Sequence, residues 1–328
     1  MVTQIHSNPD IFKIDVFLPN SPLKNLNCYV VPTPEETLII DTGFNRPECL
    51  QALREGLEEL KVDLTRSVLF LTHLHSDHVG LTEYLAEAGA RVLMSRVDYD
   101  YLYIREYHNG WSWMEDRFER EGLPHELVEL QRSVNPAHAF APTKLFKADT
   151  LADGERLTIG PLTFRCVLTP GHTPGHMCLY MEQEKILFCG DHILFNISPN
   201  ITMWQYVKDS LGNYRDSLRK VRALDIKLAL PAHRQNDMDV YERIDQLQRH
   251  HDIRLNQMIS IIQADPGLNA CQIGARMSWS MRGKNWDEFP IQQKWFAIGE
   301  TIAHLDYLVL RGTILRRETR EGIHYYLP

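Results

Sequence analysis

The residues best suited to chemistry form one short run, His73-Leu74-His75-Ser76-Asp77-His78, with three histidines and one carboxylate in six positions. The run closely follows the apolar residues 67–70. This pattern predicts that the histidines occupy the loop where a buried strand ends. A loop of that kind is a favourable place for a metal site.

The spacing of these side chains fits metal binding better than separate structural roles. The imidazoles of His73 and His75, two positions apart on an extended segment, point to the same side and can both reach one ion. Asp77 and His78 lie beyond the strand end, which suits a second ion. Taken singly, Asp77 could cap a helix, and a lone histidine is more often a surface or core residue. Four such residues in this order favour a metal site.

The elements around this loop alternate between strand and helix patterns, which predicts an α/β layered architecture. Strand patterns cover residues 11–18, 28–31, 37–40, 68–71, 91–94, 157–159, 162–168, 177–181, 185–188 and 227–230. Helix patterns cover residues 47–60, 81–88, 211–224, 240–264, 268–277 and 292–311. Later strand patterns are followed by His172, by Asp191 and by His233. Each of these strand ends therefore delivers a potential ligand.

Two segments depart from this alternation. Residues 97–148 are charged and rich in aromatic side chains, which predicts an insertion with one or two helices, the first ending near Gly122. The aromatic residues either pack the insertion onto the body, which is favoured, or form a lid or pocket wall beside the metal loop. Residues 236–328 read as helices closed by a hairpin, which predicts a small winged-helix-like domain after a catalytic domain of residues 1–235.

The complete set of motifs resembles the signature of the metallo-β-lactamase superfamily. In chain order the set is Asp41 in Ile-Ile-Asp-Thr-Gly, His73-x-His75-x-Asp77-His78, His172 in Pro-Gly-His-Thr-Pro-Gly-His, Asp191 in Gly-Asp, and His233 in Pro-Ala-His. The resemblance covers about residues 11–235 and implies a four-layer αβ/βα sandwich with the site along one edge. The body is most similar to the glyoxalase II branch.

The resemblance also implies a ligand set for two divalent ions per chain. It assigns His73, His75 and His172 to one ion and Asp77, His78 and His233 to the other, with Asp191 bridging both. Asp77 and Asp191 are then the catalytic carboxylates. Imidazole and carboxylate ligands suit zinc, with iron or manganese as alternatives. Two adjacent ions lower the pKa of a bridging water, so the expected nucleophile is a metal-bound hydroxide.

Four further residues are candidates for supporting roles. Asp41 is expected to orient a ligand histidine or to structure its own turn. His176 and His192 are expected to hydrogen-bond around the ligands, to lie on the surface or to take a direct part at the site. Asn200 belongs to the loop after Asp191, which is expected to line the substrate pocket. A histidine rather than a glutamate at His75 favours a hydrolytic centre over the di-iron redox branch of the family.

The predicted activity is metal-dependent hydrolysis of a small molecule, best a thioester of the hydroxyacylglutathione or acyl-CoA kind. Esters, lactones, β-lactams and phosphodiesters stay open, because the motif defines how water is activated and not the leaving group. A nuclease acting on RNA or DNA is the second enzyme interpretation. A regulatory nucleic-acid-binding protein with a metabolite-sensing body is the alternative from another class, and a mononuclear iron enzyme of sulfur chemistry is a third.

Charge and composition narrow these alternatives. A net charge of −8 over 328 residues disfavours generic binding to phosphate backbones, and Arg316, Arg317 and Arg320 are the only hint of a nucleic-acid surface. A hydrophobic seam in residues 240–264 makes a homodimer plausible. The first residues carry no targeting pattern, and no apolar run reaches membrane-spanning length, which predicts a cytoplasmic protein without a membrane partner. The six scattered cysteines read as reduced core residues.

Overall fold

The computed structural model describes residues 1–107, 110–280 and 285–328. Residues 108 and 109 of the predicted insertion and 281–284 of the predicted C-terminal domain lie outside the described residues. All six cysteines are described, and none forms a disulfide. Of the helices in the described part of the chain, none combines the length and hydropathy that a membrane-spanning segment requires.

The described strands form two large sheets and one hairpin. The first sheet contains, side by side in chain order, β1 (Val2–His6), β2 (Ile11–Phe17), β3 (Asn25–Pro32), β4 (Thr37–Ile40), β5 (Ser67–Leu71), β6 (Arg91–Ser95) and β7 (Asp149–Leu151). The second contains β8 (Arg156–Ile159), β9 (Leu162–Leu168), β10 (Met177–Met181), β11 (Ile186–Gly190) and β12 (Leu228–Pro231), with β12 and β8 at its edges. The hairpin pairs β13 (Leu315–Glu318) with β14 (Ile323–Tyr326).

The described helices cover the outer faces of the two sheets. They are α1 (Pro47–Glu59), α2 (Ser76–Val79), α3 (Thr82–Glu87), α4 (Arg96–Tyr107), α5 (Gly110–Arg120), α6 (His125–Val134), α7 (Pro136–Ala139), α8 (Ser210–Arg222), α9 (Val240–Ala264), α10 (Ala270–Arg276) and α11 (Ile291–Leu310). A short 3₁₀ helix spans Leu64–Arg66.

Strand β5 shows why the sheets are buried on both faces. Its residues alternate, so that Val68 and Phe70 enter the core between the two sheets, whereas Leu69 and Leu71 enter the core between the first sheet and helices α1 to α3. A third core lies under α8 and α9 on the outer face of the second sheet. The resulting order is helices, sheet, sheet, helices. The predicted four-layer αβ/βα sandwich is confirmed.

The insertion differs from its prediction. Within the described residues it contains four helices, α4 to α7, and not one or two. Proline explains the extra helices, because Pro124 is the N-cap of α6, and Pro136 begins α7 after Asn135, whose side chain accepts from Ala137 N at 3.0 Å. The first and last strands of the first sheet, β1 and β7, also lack counterparts in the sequence patterns.

The insertion and the C-terminal helices pack against each other and against the second sheet. The rings of Phe118 on α5 and Trp295 on α11 stack at 3.7 Å between centroids, with an interplanar angle of 7°. Arg117 bonds Asp306 at 3.0 Å across the same contact. Both rings belong to the core that also holds Val167 of the second sheet. These regions therefore share one hydrophobic core.

Helix α9 uses its apolar face within the chain. It begins and ends at the predicted residues, with Asp239 capping Tyr241 N and Glu242 N at 2.9 and 3.0 Å. Its apolar residues, among them Ile244, Leu247 and Met258, are buried in the shared core. The seam that suggested a homodimer is thus largely occupied within the chain, although Ile253 is exposed, and the homodimer stays a prediction.

Candidate metal centre

The potential ligands meet at one edge of the sandwich because several strands end there together. Strands β4, β5 and β6 are parallel neighbours in the first sheet, and β11 and β12 are parallel neighbours in the second. Their carboxyl ends deliver the loops of the motifs. Three groups of ligand atoms lie within 4.8 Å of one another: His73, His75 and His172; His73, His78 and Asp191; Asp77, His78 and His233.

The short helix α2 decides where Asp77 and His78 point. Its N-cap position is His75, and Asp77 and His78 lie inside it, both buried. The interpretation of Asp77 as a helix cap is therefore wrong. One turn of helix directs both side chains back toward the cluster, and His75 is the one residue of the proposed ligand set that is not fully buried.

Asp41 anchors the histidines of the first sheet from behind. Its Oδ2 accepts from His78 Nδ1 and from Thr72 Oγ1, both at 2.8 Å, and its Oδ1 accepts from Thr72 N at 2.8 Å. Since Thr72 Oγ1 has donated its proton to Asp41, it accepts from His73 Nδ1 at 3.0 Å. Asp41 thereby orients His78 directly and His73 through Thr72. Both rings present Nε2 to the cluster.

Backbone carbonyls orient two further imidazoles. His172 Nδ1 donates to Asn200 O and His233 Nδ1 donates to Asn25 O, each at 2.8 Å. A carbonyl oxygen can only accept, so Nδ1 carries the proton and Nε2 keeps its lone pair in the neutral ring. Strand β3 also contacts the segment before His233, because Asn27 Nδ2 donates to Pro231 O at 2.9 Å.

The unpartnered atoms of the cluster fit divalent cations. His78 Nε2, His172 Nε2, His233 Nε2 and Asp191 Oδ1 are buried and lack a hydrogen-bond partner within the described part of the chain. Leaving one such atom unsatisfied costs about 1–3 kcal/mol. Four of them converge on one small volume, where an ion that accepts their electron pairs would satisfy all of them.

The distances between these atoms also suit zinc. His172 Nε2 lies 3.6 Å from Asp191 Oδ2, and His233 Nε2 lies 3.5 Å from Asp191 Oδ1 and 3.3 Å from Asp77 Oδ2. His73 Nε2 and His75 Nδ1 are 3.0 Å apart. Ligand atoms around a tetrahedral zinc ion are separated by roughly 3.3 Å, given metal–ligand distances near 2.0–2.1 Å. Asp191 has one oxygen toward each histidine group.

Protons on the histidines beside the carboxylates offset part of the negative charge of the cluster when no metal is bound. Burial lowers the pKa of His78, but the carboxylates of Asp41, Asp77 and Asp191 outweigh it and raise that pKa to about 9. Burial raises the pKa of Asp77, yet His78 and His233 hold it well below its usual range. Burial among other histidines lowers the pKa of His172 to about 4. Metal ions would take the place of the protons beside the carboxylates.

His176 holds the backbone of Asp191. Its Nε2 accepts from Asp191 N at 3.0 Å, so its proton is on Nδ1, which faces Thr169 Oγ1 at 2.8 Å. Gly190 makes this approach possible, since a Cβ on Gly190 would lie 2.5 Å from His176 Nε2 and its φ is +51°. His192 is buried beside the Tyr214 ring, at 5.3 Å between centroids, so its alternative placement on the surface is wrong.

Asn200 connects the metal centre to the C-terminal helices. While its carbonyl accepts from His172, its side-chain amide donates to Phe296 O at 3.2 Å and lies 3.4 Å from Glu300 Oε2, both on α11. Glu300 in turn pairs with Arg254 of α9 at 2.6 Å. The loop after Asp191 is therefore fastened to a region that is distant in sequence.

Asp98 is a residue at the site that sequence patterns did not reveal. It is buried at the start of α4, and its carboxylate accepts from Leu74 N at 3.0 Å, Thr173 Oγ1 at 2.7 Å and Gly175 N at 2.6 Å. Leu74 lies between His73 and His75, and Thr173 follows His172. Asp98 thus joins two ligand loops. Burial raises its pKa to about 7 although all three donors act to lower it.

We expect Asp98→Asn to weaken metal binding by about tenfold to a hundredfold, as for other residues that support ligands. An asparagine side chain has one oxygen and one NH₂ group in place of the two carboxylate oxygens. Its NH₂ group would therefore face the backbone N–H of Leu74 or of Gly175, and two donors would meet without an acceptor. Leu74 or Gly175 then loses its partner, and the ligand loops separate. Metal affinity is measured by competition with a chromophoric chelator.

Thr173→Val is the matched control for Asp98→Asn, since it removes one donor of the three and leaves both backbone bonds to Asp98. The logarithm of the fold-loss in metal affinity for Thr173→Val should be less than half of the logarithm for Asp98→Asn. Equal metal affinity in wild-type protein and Asp98→Asn would show that Asp98 supports the fold without positioning the ligands.

Known proteins share this chain's fold, and two family models match it. Residues 23–233 match the model of the metallo-β-lactamase superfamily, and residues 287–328 match the model of the metallo-β-lactamase-like C-terminal domain. Two solved structures superimpose on almost the whole chain with a TM-score of 0.81 and 27% identity. One is a metallo-β-lactamase family protein of Thermus thermophilus, with 98% of this chain and 100% of that chain covered. The other is a β-lactamase domain protein of Burkholderia ambifaria, with 99% and 93% covered.

Curated relatives are more distant. The lactamase-like protein aptB of Emericella nidulans is 25% identical over 245 residues, which cover 74% of this chain and 61% of that protein. The atrochrysone carboxyl ACP thioesterase of Aspergillus fumigatus is 25% identical over 263 residues, covering 75% and 67%. The chain thus spans about three fifths to two thirds of the length of these relatives.

Proposed function

The chain belongs to the metallo-β-lactamase superfamily, and from that premise we propose that it is a metal-dependent hydrolase that cleaves a thioester in a small-molecule substrate. The proposed ligands are His73, His75 and His172 for one divalent ion and Asp77, His78 and His233 for the other, with Asp191 shared. Zinc is the proposed metal, because the ligand atoms are imidazole nitrogens and carboxylate oxygens at tetrahedral spacing.

One observation carries this proposal: three buried imidazole nitrogens and one carboxylate oxygen converge without hydrogen-bond partners inside the described part of the chain. A regulatory domain without catalysis would have no need to maintain four costly groups of this kind. Supports on the far side of three rings, at Asp41, Asn200 and Asn25, fix the direction of each lone pair. The arrangement is preorganised for metal ions and water.

The protein's own residues have definable tasks in the reaction. When bound, two divalent ions would polarise the scissile carbonyl and acidify a water molecule. Asp77 keeps its charge at neutral pH and accepts a hydrogen bond from the attacking water. The water oxygen forms a bond to the carbonyl carbon while one of its protons passes to solvent along the hydrogen bond to Asp77. The carbon–sulfur bond then breaks, its electron pair leaves with the sulfur, and the carboxylic acid product releases its remaining proton to solvent. A thiol has a pKa near 8.5, so it leaves as thiolate without a proton donor.

Support for a thioester comes from this leaving-group argument and from the relative described as an ACP thioesterase.

The structure weakens the hint of a nucleic-acid surface that the hairpin arginines gave in the sequence. Arg316 pairs with Asp306 at 2.9 Å, and the guanidinium of Arg317 lies over the Tyr326 ring at 4.6 Å. Both side chains are engaged within the chain, which disfavours the nuclease alternative.

The test is a hydrolysis panel with metal quantification. Protein reconstituted with zinc is assayed with thioesters, lactones, β-lactams and a phosphodiester. The expected result is about two zinc ions per chain and a kcat/KM for thioesters at least about 100-fold above that for the other classes, a difference of roughly 2.7 kcal/mol in transition-state binding. Phosphodiester cleavage alone, with a rate that falls steeply with salt, would replace this proposal by the nuclease alternative.

A further inference from the structure

Solvent reaches the proposed metal centre on the side of His75. His73, Asp77, His78, His172, Asp191 and His233 are buried, whereas His75 is half-buried. A substrate therefore approaches past His75. Trp204 lies beside His75, with 6.0 Å between the ring centroids and an interplanar angle of 30°.

Trp204 is held in place by contacts at its edges. Its Nε1 donates to His172 O at 3.3 Å, and Tyr101 of α4 meets it edge to face at 5.9 Å between centroids. The Tyr101 hydroxyl donates to Gln205 O. The residues before it, Ile201 and Met203, are buried in the shared core. Through Tyr101, the insertion thus supports the indole of Trp204 beside the metal loop.

The chain makes a tight turn directly after this ring. Val207 N donates to Trp204 O at 3.1 Å, so residues 204–207 form a β-turn, here named the aromatic turn. Its third residue, Tyr206, has φ of +65° and is 79% exposed. Turns with a left-handed third residue normally carry glycine or asparagine there. A bulky, solvent-exposed ring in this conformation is a backbone outlier beside a reactive centre.

We propose that the aromatic turn, with Trp204 and Tyr206 supported by Tyr101, binds a planar aromatic acyl group of the thioester substrate while the carbonyl lies at the metal centre. This inference rests on the proposed thioester hydrolysis and names the class of acyl group. Aromatic rings associate in offset or edge-to-face pairs at 4.5–7 Å, the same range as the separations between Tyr101, Trp204 and His75. The aromatic ring of the acyl group would pack against Trp204 at a separation within this range.

A nucleobase could also stack on exposed aromatic rings, and the exposed Lys208 directly follows the turn. The two arginines that fasten the neighbouring loop nevertheless favour an uncharged group. Arg243, which fastens the loop before the turn, donates to Leu194 O at 2.6 Å and Ile197 O at 2.8 Å. Arg254, which faces Asn200 through Glu300, is paired at 2.6 Å. Both arginines are thus committed to contacts within the chain and are poorly placed to bind the phosphates of a nucleotide.

The test compares N-acetylcysteamine thioesters that differ only in the acyl group: acetyl, hexanoyl, benzoyl and 2-naphthoyl. Tyr206→Ala and Trp204→Ala should each lower kcat/KM for the 2-naphthoyl thioester by about tenfold more than kcat/KM for the acetyl thioester. Trp204→Ala should lower both values, because it also removes the hydrogen bond to His172 O. Tyr206→Phe and Trp204→Phe keep a ring and should retain most of the preference. Comparing variants on one substrate cancels the intrinsic reactivity of each thioester. Leu310→Ala, which removes an exposed apolar side chain on α11, is the control and should leave all four rates unchanged.

Tyr206→Gly separates recognition from structure. Glycine adopts the left-handed conformation without strain, so this variant should unfold at a higher temperature than the wild type and still lose the preference for 2-naphthoyl. A lower unfolding temperature together with an equal loss on all four thioesters would assign Tyr206 to the fold and overturn the inference.

A binding measurement keeps the inference testable if no thioester is hydrolysed, an outcome that would refute the proposed function alone. Zinc-loaded protein is titrated calorimetrically with 2-naphthoate, acetate and uridine monophosphate. Tighter binding of 2-naphthoate than of acetate by at least about tenfold, lost in Tyr206→Ala, supports the aromatic acyl site. Equal binding of the two carboxylates, or preferential binding of the nucleotide, overturns it.

Discussion

Replacement of Asp191 by asparagine is expected to lower kcat by about 10³-fold or more and to leave fewer than two metal ions per chain. The carboxylate oxygens of Asp191 face His172 Nε2 at 3.6 Å on one side and His233 Nε2 at 3.5 Å on the other. Asparagine removes the charge and turns one oxygen into an NH₂ group, which has no lone pair for a metal. Losing several kcal/mol of Lewis-acid stabilisation corresponds to this factor, since 1.36 kcal/mol is tenfold in rate.

Metal content by mass spectrometry and kcat on the best thioester are measured on the same preparation. Asp225→Asn makes the same chemical change at a surface position, where the carboxylate pairs only with Lys185 among the described side chains, and should keep kcat within about twofold. If Asp191→Asn retained two ions and wild-type turnover, the assignment of Asp191 as the shared ligand would be wrong.

Removal of metal is expected to destabilise the protein as well as inactivate it. At free zinc about 1,000 times the dissociation constant, binding to the folded state alone adds about 4 kcal/mol to the free energy of unfolding. We expect the four unpartnered atoms of the centre to weaken the folded protein locally when no metal is bound. Thermal unfolding of chelator-treated protein, before and after zinc is restored, measures the difference. No change on restoring zinc would refute the binding of zinc by the folded centre.

The pH dependence of zinc affinity follows from His78. Its pKa near 9 means that the metal-free centre holds a proton on this ring at neutral pH, and this proton stabilises the metal-free fold below pH 6.5 and is lost as pH rises through 9. Zinc must displace the proton, so its apparent affinity should rise by up to about tenfold per pH unit from this group and level off near pH 9. His172 adds nothing to the slope above about pH 4. His233 adds a second contribution, because Asp191 and Asp77 raise its pKa against the effect of burial.

Asp41→Asn is the control for this slope, because Asp41 is the first of the carboxylates that raise the pKa of His78. The zinc affinity of this variant should level off at a lower pH than that of the wild type. Its zinc affinity should also be lower overall, because His78 loses its carboxylate partner. A zinc affinity independent of pH between 6.5 and 9 in the wild type would contradict the assigned role of His78.

The fold was largely predictable where local patterns and buried faces agree. Strand β5 is apolar at consecutive positions because both of its faces are covered, and α9 starts at a capping aspartate and ends just before Pro266. The insertion was harder, since its aromatic residues face several partners at once. The number of its helices depends on Pro124 and Pro136, which stand at the starts of α6 and α7. The end of α6 also contacts α11, where the Gln292 side chain donates to Val134 O at 2.8 Å.

The candidate ligands were predictable because each stands at a strand end within a short motif, whereas the residues that position them were not. Asp98 follows Ser95 at the spacing of a capping box, an ordinary helix start. Its partners lie 24, 75 and 77 residues away, so no local pattern could reveal that its carboxylate points toward the ligand loops. Likewise, the bond of Asn200 to α11 spans 96 residues.

The common core of the insertion, the second sheet and the C-terminal helices constrains how this protein can diverge. Exchange of the C-terminal helices alone would uncover Phe118, whose ring stacks on Trp295, and would release Asn200 from Phe296 and Glu300. Exchange of the insertion alone would withdraw Tyr101 from Trp204. Natural variants are therefore expected to change these three regions in concert, so that new substrate preference evolves through the whole assembly and not through one transplanted piece.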